Sequence, residues 1–253
     1  LRGHASNADQ RLVELFSKQH EINYISGAWA KASKAIKEHG LEMAAREARY
    51  DFLKTEAQVR RCKFLATAHH ADDQVETFLW RLMRGAGGKG LGGMRRVSDF
   101  YKNPEIKLAR PLLKFGKLDL HLFAKDYAIP FREDASNGDT KHLRNKIRKR
   151  LLPYLNRHFK PEIEISIIQS QGLISDESDF SSQTAFAWIH SRKRKPFKRL
   201  HVAVQRWVIV HQLIDLAIAP KHFLIERLCE SIERPFSIDE NRRLHRTADG
   251  IVH

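Results

Sequence analysis

Cysteine is nearly missing from this chain: of 253 residues only Cys62 and Cys229 are cysteines, and no C-x-x-C pair occurs. That argues against a disulfide scaffold, a thiolate zinc module and an iron–sulfur cluster, and it fits a reducing compartment. No apolar run approaches the length of a membrane span. There is no signal-peptide pattern and no internal repeat. Acidic residues are scarce beside basic ones, 30 against 45, which gives a formal charge of +15 and a pI near 10.0. Such a surplus implies attraction to polyanions, nucleic acid first and an acidic membrane surface second. The remaining composition, 42% hydrophobic, is that of a soluble globular chain of one or two domains. The chain opens at Leu1 without an initiator Met, so it is expected to be a fragment.

The most informative stretch is 67–94, TAHHADDQVETFLWRLMRGAGGKGLGGM. It leaves an apolar run, Phe64-Leu65-Ala66, that reads as a buried strand. Val75, Phe78, Leu79, Leu82 and Met83 then fall on one face of a helix that should stop at the glycines from Gly85. His69, His70, Asp72 and Asp73 therefore sit where a strand's carboxyl end meets a helix start, the usual ligand crevice of an open α/β sheet. Asp73-x-x-Glu76 also has the spacing of a capping box, a structural role compatible with a chemical one. Two imidazoles beside two carboxylates can ligate a metal, yet no third His or Cys cluster lies nearby. The tract Gly85-Ala-Gly87-Gly88-Lys89-Gly90 fits G-x-G-x-x-G but follows a helix, whereas a dinucleotide loop must follow a strand and open a helix. Lacking Ser or Thr after Lys89, it is not a Walker loop either.

Elsewhere the pattern predicts a helix over 9–19 capped by Ser6, with Leu12, Val13, Leu15 and Phe16 buried, and a short strand at 21–25. A helix over 41–61 would bury Met43, Ala44, Ala48 and Phe52 and leave Arg46 and Arg49 outside. A strand at 62–68 follows, then an edge strand at 106–113 ending at Pro111, a helix over 117–127, a polar turn at 130–137, and a helix over 140–156. In this last helix Leu143, Ile147 and Leu151 face inward and Arg144 and Arg148 form a second row, either solvated or on phosphate. Beyond Pro153 and Pro161 helices are expected over 162–175, 179–191, 200–218 and 221–232, then a small strand within 242–253. The run 192–199, RKRKPFKR, reads as a nucleic-acid patch, a localisation signal or an exposed linker. Helix–strand alternation gives the fold class: α/β with a doubly wound, mostly parallel sheet, followed by a helical second domain.

Residues 67–94 resemble the AHHxDDQxET…RLxRGxGxxGLxGM signature of bacterial tRNA(Ile)-lysidine synthetases, of the PP-loop ATP pyrophosphatase superfamily. LEMAAREARYDFL is similar to that family's AxRxxRY helix, and REDASNGDTKHLRNKIRKRLLPYL to its DxSN…RNxIR…LLP segment. LRGHASNAD resembles its HGLR-x-x-S-x-x-D segment. The likeness runs in order over about 1–158, and more loosely over 205–242. The family's SGGxDS loop, which holds ATP phosphates, does not occur; Ile25-Ser26-Gly27-Ala28 lacks its second Gly, its Asp and its second Ser.

The resemblance implies a Rossmann-like, adenine nucleotide alpha hydrolase-like fold. It implies a partial PP-loop catalytic domain at 1–158 without the SGGxDS loop, and at 159–253 a mainly helical linker and the start of a tRNA-binding domain. It implies ATP-dependent ligation of lysine to C2 of the wobble cytidine of tRNA(Ile) with a CAU anticodon, through an adenylated intermediate. The catalytic candidates are then Asp73, Glu76, His69 and His70; the nucleotide candidates are Arg46 and Arg49; the tRNA or domain-stabilising candidates are Arg81, Arg84, Arg144, Asn145 and Arg148. ATP and Mg²⁺ are the implied cofactors. The implied partners are the tRNA, free L-lysine and, allowably, a second copy of the chain; the implied location is the bacterial cytoplasm, with no membrane partner. Alternatives are a non-catalytic tRNA-binding remnant, a tRNA thiolase (whose cytidine branch needs C-x-x-C), and a His/Asp metallohydrolase.

Overall fold

Tyr50 and Ala57 lie seven residues apart on helix α2 (Leu41–Val59), and this two-turn spacing puts both against a small sheet with Phe100, Ile106 and Leu108. The sheet is built from β1 (Phe64–Ala66), β2 (Val97–Phe100) and β3 (Asn103–Ala109), in the order β1-β3-β2. The pair β1–β3 is parallel, with Leu65 opposite Leu108, and β2–β3 is antiparallel. Residues 4–29, 36–37, 40–101, 103–132, 143–230, 233–239 and 242–253 are described in this computed structural model. The chain divides into two compact units, one of 1–83 with 94–168, the other of 84–93 with 169–253.

In the first unit, α1 (His4–Gln19) is followed by α2 and β1, and β1 runs into α3 (Ala71–Leu82). Helix α3 buries Ala71, Val75, Glu76 and Leu79. Val75 and Leu79 pack against Ile147, Leu152 and Ile167 in a second small core. Helix α5 (Lys117–Asp126) follows β3, and a helical run over 143–158 closes the unit. That run is α-helical at α6 (Leu143–Lys146), π-helical at Ile147–Leu151 and α-helical again at α7 (Leu152–His158).

Several expectations are corrected. The segment 21–25 is irregular, because among the described residues no strand lies alongside to complete its ladder. Val13, Leu15 and Met43 are exposed; the covered residues are Leu12, Phe16 and Ser17 on α1 and Ala44, Tyr50 and Ala57 on α2. The strand read as an edge at 106–113 is the middle strand of its sheet and ends at Ala109, two residues before Pro111, so the proline takes no ladder position. Its antiparallel neighbour β2 went unread because Val-Ser-Asp-Phe carries no long apolar signal. An antiparallel edge beside a parallel pair is common in doubly wound sheets, and the Rossmann-like α/β class stands. The inward stripe of 143–158 is Ile147 and Leu152, with Leu143 exposed: the π turn inserts one residue and shifts the buried face from 151 to 152. The start of the helix predicted over 140–156, most of the polar turn at 130–137 and the end of that over 221–232 lie outside the described residues, as does the side chain of Ser6.

The second unit is mainly helical. Helix α8 (Ile163–His190), which belongs to this unit from Gln169 onward, spans what the sequence suggested were two helices. Gly172 and the polar residues 175–179 do not break it, since one interior glycine costs only about 1 kcal/mol. Helices α9 (Val202–Asp215) and α10 (His222–Glu230) and the hairpin of β4 (Phe236–Ser237) with β5 (Arg243–Leu244) complete the unit. One core joins Ala185, Trp188, Phe197, Val208, Ile209, Leu213, Leu228 and Val252. The glycine tract groups with this unit as a four-residue helix, α4 (Gly88–Leu91), in line with its reading as something other than a dinucleotide loop. Among the described residues no helix is long and apolar enough to cross a membrane.

Candidate active site

At the carboxyl end of β1 the chain must turn before α3 can start, and the turn is made from Thr67 to His70. Thr67 N still follows the sheet, donating to Ala109 O at 2.9 Å. Its hydroxyl then bonds His69 Nδ1 at 2.9 Å, which fixes that ring. His70 is the residue before the helix, in extended backbone, and its N–H donates to Asp73 Oδ2 at 3.0 Å. The capping box expected of Asp73 and Glu76 is corrected: it lies three residues earlier, between His70 and Asp73, the third helical residue, and Glu76 takes no part. His70 Nδ1 lies 3.2 Å from Asp72 Oδ2, which also accepts from Lys117 N at 2.7 Å and so ties the turn to the start of α5.

Glu76 has a different task. Its side chain is fully buried, and a lone buried carboxylate is costly. Arg144 Nε donates to Glu76 Oε2 at 2.7 Å and Arg148 Nε to Glu76 Oε1 at 2.5 Å. Arg144 also reaches Asp73 Oδ1, through Nη2 at 3.0 Å. Two acids spaced i, i+3 on α3 thus meet two arginines spaced i, i+4 on the 143–158 run, a charge-balanced quartet joining the halves of the fold's second core. The sequence placed Arg144 and Arg148 as tRNA-facing or domain-stabilising; the structure sets both on the acidic pair, with Arg144 still 47% exposed.

Beside the quartet lies a cleft of about 320 Å³ lined by Arg46, Arg49, Tyr50, Leu53, Thr67, Ala68 and His69. Arg46 bonds Tyr50 Oη at 3.3 Å and lies over its ring at 4.7 Å. Arg110, at the carboxyl end of β3, donates through Nη1 to Arg95 O and Ser98 Oγ, while its buried Nε has no hydrogen-bond partner. Burial holds His69 below its ordinary pKa; the Asp73 carboxylate opposes this shift, and the Arg110, Arg144 and Arg46 cations add to it. His70 is shifted up, first by its hydrogen bond to Asp72, and that bond pulls Asp72 down to about 2. Two adjacent histidines thus carry opposite shifts, His69 downward through burial and His70 upward through its bond to the Asp72 carboxylate.

The structure brings His69, His70, Asp72, Asp73, Glu76, Arg46 and Arg49 to one end of the sheet, together with Arg144 and Arg148. Tyr50, Thr67 and Arg110 were not read from the sequence. The available signal for Arg110 was an arginine placed between a strand end and Pro111. Arg81, half-buried in the last turn of α3, and Arg84 and Asn145 are each engaged in contacts of their own. Among the described residues no cluster of three or more His, Cys, Asp or Glu is placed to hold a metal ion. Such a cleft, with fixed cations and a buried acid pair at a strand's carboxyl end, suits an anionic ligand alongside a cationic one.

Comparison with known proteins gives the same direction. Residues 1–155 match the PP-loop domain family. The chain is 38% identical over 184 residues to a tRNA(Ile)-lysidine synthase of Geobacter sulfurreducens, covering 72% of this chain and 38% of that protein. A synthase of the same name from Actinobacillus succinogenes is 44% identical over 156 residues, covering 55% and 35%. One from Nostoc is 36% identical over 151 residues, covering 60% and 44%. The chain thus spans less than half the length of these three relatives. Among solved structures, a U34-tRNA thiolase from Methanococcus maripaludis superposes with a TM-score of 0.54 at 16% identity, covering 69% of this chain and 59% of that one. That likeness speaks to the fold alone.

Proposed function

The chain belongs to the PP-loop domain family, and from that premise we propose that it serves tRNA modification as a carbon–nitrogen ligase, forming lysidine from ATP, lysine and tRNA(Ile). In the first step the C2 oxygen of the wobble cytidine in a CAU anticodon attacks the α-phosphorus of ATP and pyrophosphate leaves. In the second step the ε-amine of lysine attacks C2, the C2–oxygen bond to AMP breaks, and the amine proton passes to a base. Cations at phosphate and carboxylates at the lysine ammonium are the groups these steps need.

The single observation that carries this reading is the pairing of a cationic cleft with an acidic pair at one strand end. Arg46 and Arg49 line the cleft and suit phosphate through their planar forks. Asp73, whose side chain keeps 15% exposure, is the group proposed to hold the lysine ammonium. Glu76 is fully buried with both oxygens engaged, so the reading gives it a positioning role through Arg144. His69 and His70 shape the crevice. Magnesium would arrive with the nucleotide's phosphates, offset their charge and keep most of its waters, which is its habit in such sites.

The test is ATP turnover by the chain with a tRNA transcript of CAU anticodon. Pyrophosphate release that requires the tRNA, and AMP release that also requires lysine, are expected. Turnover indifferent to lysine would sink the ligase reading; tRNA binding without any turnover would favour the binding-only alternative.

A further inference from the structure

The glycine tract after α3 is neither a dinucleotide loop nor a Walker loop, so its role is open. Six of the nine residues from Gly85 to Gly93 are glycine, a composition that leaves a chain loose unless its neighbours hold it. Here the neighbours do. Gly85 and Gly93 turn the chain on either side of α4 at φ +71° and +76°, where a side chain would be strained. Gly92 sits so close to α8 that a Cβ added to it would lie 3.0 Å from Ser175 Cα, and one added to Gly88 would lie 3.6 Å from Ser178 Oγ. Lys89 Nζ lies 5.5 Å over the Trp207 ring. These contacts fall within the second unit, to which 84–93 belongs although the chain on either side of it belongs to the first. A further hold lies in the first unit. Gln74, the fourth residue of α3, donates through Nε2 to Met94 O at 2.8 Å, and its Oε1 accepts from Met94 N at 2.7 Å. One side chain thus satisfies both main-chain groups of the residue that follows the tract, as a neighbouring strand would.

The chain leaves α3 at Met83 and is clamped back to it at Gln74, so the tract closes a ring on the helix. The two attachment points are about 13 Å apart along the helix axis. Any shift of the tract on α8 is therefore felt at both ends of α3, through the chain at one and through Gln74 at the other. At the start of α3, Ala71 N donates to Phe115 O at 2.8 Å, which anchors the first turn. Gln74 adds a second anchor, and two anchors fix the tilt of a helix where one leaves a pivot. Gln74 is next to Asp73 and two residues before Glu76. We propose that 84–94 is a strap, and that Gln74 is the positioning residue through which it sets Asp73 for the lysine-dependent step. The strap stands on geometry alone; its service to that step rests on the ligase reading.

The experiment compares the full chain with Gln74→Met, which keeps the volume and loses both bonds, and with Gly92→Ala, which presses the tract away from Ser175. Gly88→Ala is the control, since its Cβ would make only ordinary contact. Hydrogen exchange over 71–76 is measured first, without ligands. It should rise about threefold or more in Gln74→Met and in Gly92→Ala, and stay unchanged in Gly88→Ala. Exchange that rises in Gly92→Ala only over 84–94 and 170–180 makes the tract a local loop and overturns the strap. Steady-state kinetics then read the chemical step. KM for lysine should rise about tenfold in Gln74→Met and about threefold in Gly92→Ala, parts of the roughly hundredfold that a 1 Å misplacement costs. KM for ATP should stay within about twofold, because Arg46 and Arg49 lie on α2, away from the strap. The double variant should stay near about tenfold, short of the about thirtyfold of independent effects, because both changes act through one strap. Equal rises in KM for lysine and ATP, or effects that multiply, overturn the positioning role of Gln74. A wild-type chain without lysine-dependent turnover counts against the ligase reading, and the exchange result alone then decides the strap.

Discussion

Replacing Arg148 with Met tests whether the Glu76 quartet holds α3 to the 143–158 run. Breaking a buried ion pair by removing one partner costs about 3–5 kcal/mol when the remaining charge is stranded. Two facts lower that here. Arg144 stays on Glu76 Oε2, and Arg148 and Arg144 are 30% and 47% exposed, so water screens part of the loss. Met also keeps much of the aliphatic packing. The expected cost of Arg148→Met is therefore about 1.5 kcal/mol, or about tenfold in a local opening equilibrium. Glu76→Gln keeps the shape but turns one acceptor into an amide N–H₂ facing a guanidinium, at about 2 kcal/mol. The double variant should fall short of the sum by roughly 1 kcal/mol, because each change removes the same contact. Hydrogen exchange with peptide-level mass spectrometry reads this locally, as faster exchange over 71–82 and 143–158 and none over 202–230. Strictly additive losses, or undiminished protection over 71–82 in both single variants, would refute the quartet as the clamp.

Three further outcomes follow from particular contacts. Asp72→Asn should lower the His70 titration midpoint, seen by NMR, because the Asp72 bond is the leading cause of its upward shift; a midpoint left in place contradicts the pairing. In the wild type, His70's contribution to stability is full below its unfolded value of 6.5 and is lost as pH rises through its higher folded pKa. Asp72's contribution is full above 3.8 and is lost as pH falls toward about 2, so the pair is complete between about pH 4 and 6.5. Gly250→Ala should destabilise the second unit by about 1–3 kcal/mol, since φ is +85° there and a Cβ would lie 2.5 Å from the Phe197 ring; an unchanged melting temperature refutes it.

What could be read from the chain alone was what repeats or lies in one contiguous stretch. Helix α3 shows its period plainly, and its flanking His69, His70, Asp72 and Asp73 are adjacent in sequence, so the crevice was legible with them. The helix starting at Lys117 was equally clear. What failed depends on distance or on neighbours. Glu76 and Arg148 are 72 residues apart, and no local pattern says that an acid in the second turn of a helix will be buried and claimed by two arginines. A hint existed, for the i, i+3 acids and the i, i+4 arginines are complementary rows. Strand β2 has four residues, two of them polar, and owes its existence to β3 beside it. The π turn at Ile147–Leu151 changes the buried face in a way that a strict 3.6-residue reading cannot show. The basic run 192–199 was legible as charge, but the hold that Trp188 keeps on it, by donating its indole N–H to Lys195 O at 2.8 Å, was not.

The most direct test of the central account is Asp73→Asn, assayed for lysidine formation and for melting temperature together. Asn can still accept from His70 N, and the exposed half of the Arg144 contact is worth about 0.2–1 kcal/mol, so the melting temperature should fall by no more than about 4 °C. Lysine incorporation should fall at least a hundredfold, as expected for a group that touches the reacting amine. A protein that melts far earlier yet keeps its specific activity would show that Asp73 is a helix cap and no more.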